Sequence, residues 1–255
     1  MTTVAVIQAR MGSTRFPGKV LADLQGRPML AHIIERCSRA DTVDSVVVAT
    51  TVAESDEAVA SLAAALGAKV TRGPVEDVLG RFVQAASEHG ADVVVRITAD
   101  CPLVDPAVID RVVRARADED ADYAGNVEPP TYPDGYDVEV LTAACLARLD
   151  REAVLPHERE HVTARVREHP GEFRAINVGW HQDRSWIRLT VDVPADLERV
   201  SAVLAALPTS PPPDVETVAR YCEEHARNGR EGDLPERDER YRAQRDAALR
   251  QESPG

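Results

Sequence analysis

Three cations and two hydroxyls crowd one short stretch, Gln8-Ala9-Arg10-Met11-Gly12-Ser13-Thr14-Arg15-Phe16-Pro17-Gly18-Lys19. Arg10, Arg15 and Lys19 offer guanidinium forks and a compact ammonium, Ser13 and Thr14 add hydroxyl donors, and no acid appears before Asp23. Polyphosphate oxygens are held by such groups together with backbone N–H donors. Gly12 and Gly18 let the chain turn and approach a ligand closely, and Pro17-Gly18 is a turn signal. A short basic loop is ordinarily just a solvated turn. Here the whole chain carries a formal net charge of -13, so positive charge gathered in one loop marks a local anion site. The spacing fits neither Walker A nor G-x-G-x-x-G. The phosphate reading therefore rests on the chemistry of the loop itself.

Two acids stand directly after apolar, strand-like runs. Asp100 lies in Thr98-Ala99-Asp100-Cys101-Pro102-Leu103, and Asp192 in Val191-Asp192-Val193-Pro194. Each could simply cap the turn or helix that follows. Beside a phosphate loop, the pair also suits Mg²⁺, which takes one or two carboxylates plus phosphate oxygens and keeps several waters. Asp196 belongs in the first turn of the next helix, where it favours the dipole.

The elements that must position these groups alternate. Val4–Ile7, Ser45–Thr51, Ala68–Thr71 and Asp92–Thr98 read as buried strands, separated by helices over Met29–Arg39, Glu54–Leu66 and Asp77–His89. Apolar runs without period-two patterning predict a largely parallel sheet covered on both faces. Ligands of such sheets collect beyond the carboxyl ends of the strands. That rule puts the Gln8–Lys19 loop, Thr50-Thr51, Arg72 and Ala99-Asp100 along one edge.

The second half is less regular. A helix is expected from Asp105-Pro106 to about Arg116, a short strand at Ala121–Gly125, and a half-buried alternating strand at Asp137–Leu141. Helices follow at Thr142–Arg151 and Pro156–His169, then strands at Arg174–Val178 and Ile187–Val191. The last helices are Pro194–Leu207 and Asp214–Ala226. One domain over residues 1–227 and a charged, partly helical and partly disordered tail over 228–255 complete the reading.

Composition excludes several classes. The acidic balance opposes general nucleic-acid binding, and no apolar run reaches the length of a membrane span. Met1-Thr2-Thr3 lacks a basic segment leading into a signal-peptide core, so a cytoplasmic location is expected. Cys37, Cys101, Cys145 and Cys222 form no C-x-x-C pair and read as buried free thiols.

These residues resemble the CMP-sugar cytidylyltransferases that activate 3-deoxy-manno-octulosonate and sialic-type acids, and most of all the spore-coat polysaccharide SpsF-type branch. The likeness is carried by Ile7–Lys19, Arg96–Pro102, Asp134–Val140 and Val191–Val200, with His157-Glu158-Arg159-Glu160-His161-Val162-Thr163 characteristic of the SpsF-type branch. The resemblance implies a GT-A-like, three-layer α/β/α nucleotidyltransferase fold with a mostly parallel sheet, commonly a homodimer. It implies a Mg²⁺-dependent reaction of CTP with an acidic sugar, giving a CMP-sugar and pyrophosphate. Carried over, Arg10, Gly12, Ser13, Arg15 and Lys19 would hold the triphosphate, with Arg10, Arg15 and Lys19 catalytic. Asp100 and Asp192 would bind the metal. Gln8 and Ala9 lie where base and ribose are approached, and Arg72 and Arg81 bracket the cytosine-reading segment. Between them this chain has Gly73–Gly80, where the octulosonate enzymes have a His-Gln-Ser-Gly stretch.

On the acceptor side, Asp134, Tyr136, Glu139, His157, Arg159 and His161 are candidates, because an acidic sugar wants Arg or His near its carboxylate. His157 and His161, four residues apart on one expected helix, could also form a zinc pair or a dimer contact. Two other readings remain: a sugar phosphate or phosphonate acceptor, and a non-catalytic nucleotide-binding homologue.

Overall fold

The computed structural model describes residues 1–208, 210–225 and 242–247. Seven strands form the main sheet: β1 (Thr3–Gln8), β2 (Ser45–Thr51), β3 (Lys69–Gly73), β4 (Val93–Thr98), β5 (Tyr123–Gly125), β6 (Glu139–Thr142) and β7 (Ala175–Asn177). Their spatial order is β3-β2-β1-β4-β6-β5-β7. All neighbours run parallel except at β6, which is antiparallel to both β4 and β5. The expected three-layer α/β/α architecture is present.

Side chains leave each strand alternately, and both faces are dry. On β1, Ala5 and Ile7 join one apolar cluster, while Val4 and Val6 join the other. The first cluster is covered by α1 (Met29–Ser38), α2 (Glu57–Ala65), α4 (Pro106–Asp118), α8 (Pro194–Ala206) and α9 (Val215–His225). The second is covered by α3 (Val78–Glu88) and α5 (Ala143–Glu152), through residues such as Leu79, Phe82, Leu146 and Leu149. Burial on both faces explains why the strands read as continuous apolar runs.

Caps hold the helices where the sequence placed them. Asp105 Oδ1 accepts from Ala107 N at 2.7 Å to start α4. Its Oδ2 accepts from Val215 N at 2.6 Å, tying α9 to the same corner. Asp77 caps α3 through Gly80 N at 2.9 Å.

Three expected elements differ. The Pro156–His169 helix is two short ones, α6 (Pro156–Glu160) and α7 (Ala164–Glu168). Between them Thr163 is fully buried and donates to Glu139 Oε1 at 2.6 Å, drawing the chain inward out of helical register. Ile187–Val191 is extended but bridges only once, Asp134 to Arg188; its amides and carbonyls bond to loops, as in Leu189 N to Asp134 O (2.7 Å) and Val191 N to Asp100 O (2.8 Å). The strand expected at Asp137–Leu141 is β6, and Glu139, Val140 and Leu141 are all buried, because β6 lies inside the sheet rather than half-covered. The tail reading falls mostly outside the described residues; 242–247 is helical. No helix among the described residues is long and apolar enough to cross a membrane.

Candidate active site

Strand order reverses between β1 and β4, where Gln8 and Thr98 are register partners. The loops leaving these two strands must diverge, which opens a crevice at their carboxyl ends. A cavity of about 560 Å³ occupies it, a volume suited to a small-molecule complex.

The loop after β1 curls around one carbonyl. Ser13 N and Gly18 N both donate to Met11 O, at 2.8 and 2.9 Å, and Gly18 adopts φ +74°. Met11 N is anchored to Asp56 Oδ1 at 2.6 Å. A Cβ on Gly12 would meet nothing within 4 Å; the open space there belongs to the cavity it lines. Gln8, Ala9, Arg10, Ser13, Arg15 and Lys19 line it as well.

Lys19 is the centre of the polar network. Its Nζ donates to Val191 O at 2.7 Å, Asp192 Oδ1 at 3.1 Å and Asp100 Oδ2 at 3.3 Å. All three ammonium protons therefore have acceptors. Burial works to lower the Lys19 pKa, but the two carboxylates outweigh it and hold it above the ordinary lysine value. Burial likewise opposes ionisation of Asp100, yet the Lys19 ammonium and the Thr98 hydroxyl hold its pKa below the usual carboxylate value. Both groups are charged at neutral pH.

Arg188, not singled out from the sequence, organises the acids around this cluster. Its guanidinium reaches Asp192 Oδ2 at 3.0 Å, Asp134 Oδ2 at 3.1 Å and Asp196 Oδ2 at 3.2 Å. Asp192 is also paired to Arg15 at 3.2 Å. Asp196, fully buried, accepts from the backbone of Asp192 and Val193 at 2.9 and 3.2 Å, so the Asp192 turn is held by the helix it precedes. Gly135 makes this packing possible. It has φ +113°, and a Cβ there would lie 2.7 Å from the Leu189 carbonyl carbon.

Two carboxylates converging on one cation, with oxygen donors only, suit a divalent hard ion. Among the described residues no group of three or more His, Cys, Asp or Glu could hold a metal unaided. Asp100 and Asp192 could hold such an ion only with phosphate oxygens and water completing its shell.

Arg96, also not singled out from the sequence, stiffens the floor together with the candidate Glu139. Arg96 on β4 is ion-paired with Glu139 on β6 and donates to Gln8 Oε1 at 3.2 Å. Glu139 also accepts from Tyr123 Oη at 2.7 Å. Burial pushes the Glu139 pKa up, but Arg96 and Arg167 more than offset it and bring it down to about 2. An arginine interrupting the Val93-Val94-Val95 run of the strongest strand was the available signal.

The remaining candidates divide. Arg81, Asp134, Glu139 and His161 line the cavity; Arg72, Tyr136, His157 and Arg159 do not. Arg81 is almost fully buried and donates to the carbonyls of Pro74 and Val75, fixing the segment that follows β3. Arg72 holds Thr51 O at 2.9 Å and Ala53 O at 3.0 Å and is paired with Glu57. Tyr136 is buried in the core. Arg159 clamps Asp77 (2.6 Å) and Asp150 (2.8 Å). His157 turns to Glu168 at 3.0 Å while His161 faces the cavity, so they form no metal pair. Cys101 lines the cavity with its thiol pKa pushed well up by burial, which leaves it protonated.

Comparison with known proteins gives the arrangement a family context. The cytidylyltransferase family profile matches residues 4–224. The chain is 34% identical to the spore coat polysaccharide biosynthesis protein SpsF of Bacillus subtilis, over 78% of this chain and 84% of that protein. It is 35% identical to a 3-deoxy-manno-octulosonate cytidylyltransferase of Anaeromyxobacter sp. (strain Fw109-5), over 82% and 99%. The solved structure of a cytidylyltransferase from Leptospira borgpetersenii superposes with a TM-score of 0.85 at 30% identity, covering 89% of this chain and 95% of that one.

Proposed function

Because the chain belongs to the cytidylyltransferase family and is a nucleotidyltransferase, we propose that it transfers CMP from CTP to an acidic sugar of the ulosonic or sialic class, releasing pyrophosphate. One observation carries this reading: Lys19 joins Asp100 and Asp192 beside Arg10 and Arg15, where the strand order reverses.

An oxygen of the sugar attacks the α-phosphorus in line as the bond to pyrophosphate breaks. Such chemistry depends on positioning and charge stabilisation rather than on covalent help from the protein. Arg10, Arg15 and Lys19 hold the triphosphate and neutralise the departing pyrophosphate, assisted by Ser13 and by the open backbone at Gly12. Gln8, Ala9 and Arg81 border the nucleoside. A magnesium ion held by Asp100 and Asp192 would neutralise phosphate charge and acidify the attacking group when bound. Arg188 keeps Asp192 and Asp134 aligned, and the second half of the chain, through Asp134, Glu139, Glu160 and His161, receives the sugar.

The test is pyrophosphate release with each of the four nucleoside triphosphates against a panel of ulosonic and sialic acids. CTP with one acidic sugar is expected to stand at least tenfold above every other pair. Turnover only with a sugar phosphate or phosphonate, or with none, would contradict the proposal.

A further inference from the structure

Residues 242–247, although far along the chain from the site, lie against the cavity. Ala243 lines it beside Glu160 and His161. Gln244 joins these two: its Nε2 donates to Glu160 Oε2 at 2.7 Å, and its Oε1 lies 2.5 Å from His161 Nε2. The polarity of both contacts is set by the carboxylate. Ionised Glu160 only accepts, so it takes the amide nitrogen and leaves the amide oxygen to the imidazole. Facing an acceptor, His161 must carry its proton on Nε2. Burial lowers the His161 pKa and outweighs the opposing Gln244 contact, so the net shift is towards the neutral ring. With the segment in place the cavity still measures about 560 Å³, so the segment bounds the space rather than filling it.

We infer that the 242–247 segment is a wall of the acceptor site and that Gln244 is a positioning residue, fixing the ring orientation and tautomer of His161 for a hydroxyl-rich acidic acceptor. This rests on the reading that the Glu160–His161 part of the cavity receives the sugar. The nucleotide end, built from Gln8–Lys19, has no share in the contact. The segment therefore discriminates acceptors and leaves CTP untouched.

The experiment compares the full chain with Gln244→Ala and with a chain ending after residue 241. Acceptor and CTP KM values are measured by pyrophosphate release, CTP binding by calorimetry, and the His161 ring by ¹⁵N NMR. Both variants are expected to raise the acceptor KM at least tenfold, while the CTP KM and Kd stay within twofold. The signature of a hydrogen-bonded, solvent-protected Nε2–H on His161 is expected in the full chain and lost in Gln244→Ala. A signature and acceptor KM that both persist overturn the inference, as does a truncated chain that turns over faster, which would make the segment a plug. If the full chain uses no acidic sugar yet the His161 signature changes as stated, the acceptor assignment fails and the Gln244–His161 contact stands.

Discussion

Lys19 Nζ and Asp192 Oδ1 lie 3.1 Å apart across 173 residues of chain. The first belongs to the loop leaving β1, and the second to the turn that opens α8. Their meeting bridges two walls of the cavity that both residues line. It also gives Lys19, the cation proposed to bind phosphate, a carboxylate partner that a triphosphate must compete with.

Lys19→Ala removes that cation and leaves Asp100 and Asp192 facing each other. CTP affinity is expected to fall at least tenfold, the usual worth of one charge-assisted contact of about 1.5–3 kcal/mol. Calorimetric titration of CTP measures it. The acids lose their shared counter-ion too, so a thermal shift of a few degrees accompanies the effect; undiminished CTP affinity would contradict the role given to Lys19.

Glu139→Ala strands Arg96 inside the sheet. Removing one partner of a buried ion pair costs about 3–5 kcal/mol, and urea titration reads it. The pH dependence has a fixed sign. Glu139 titrates at about 2 in the fold against an ordinary 4.5, so its stabilisation is full above 4.5 and disappears as pH falls towards 2. The stability gap between wild type and Glu139→Gln is expected to narrow over that window; a gap that widens there would refute the pairing.

Gly135→Ala combines a left-handed φ of +113° with a Cβ 2.7 Å from the Leu189 backbone. The strain and overpacking together are expected to cost at least ~2 kcal/mol. Because Asp134 and Arg188 flank this contact, turnover should fall as well. Wild-type stability in this variant would show that the Leu189 segment can move aside.

Arg159→Ala unclamps Asp77 from Asp150, and so loosens the start of α3. The expected result is a Tm lower by several degrees, at roughly 2–4 °C per kcal/mol for a chain of this size. An unchanged Tm with a raised sugar KM would instead place Arg159 among the acceptor contacts.

The parallel strands, their buried faces and the cationic loop were legible because each rests on local pattern: apolar runs, Gly-Pro punctuation, and charge against an acidic background. Asp100 was legible because strand ends collect on one edge; Asp192 follows Ile187–Val191, which is no strand of the sheet, and reaches Lys19 through the turn before α8. Arg188 was not legible, since a single arginine in Ile187–Val191 looks solvated until Asp134 and the α8 turn carrying Asp192 and Asp196 arrive from two places. The break between α6 and α7 depends on Thr163 finding Glu139, 24 residues away; helical periodicity continues straight through it. Gln244 sat in a stretch dense in charge, and nothing local pointed to His161.

Asp100 and Asp192 carry the proposed chemistry. Asp100→Asn and Asp192→Asn, each assayed beside wild type for pyrophosphate release from CTP and the preferred acidic sugar, measure it most directly. Each variant is expected to fold and to lose roughly 10²–10³ in kcat, the worth of one preorganised electrostatic group; wild-type kcat in either would contradict the site.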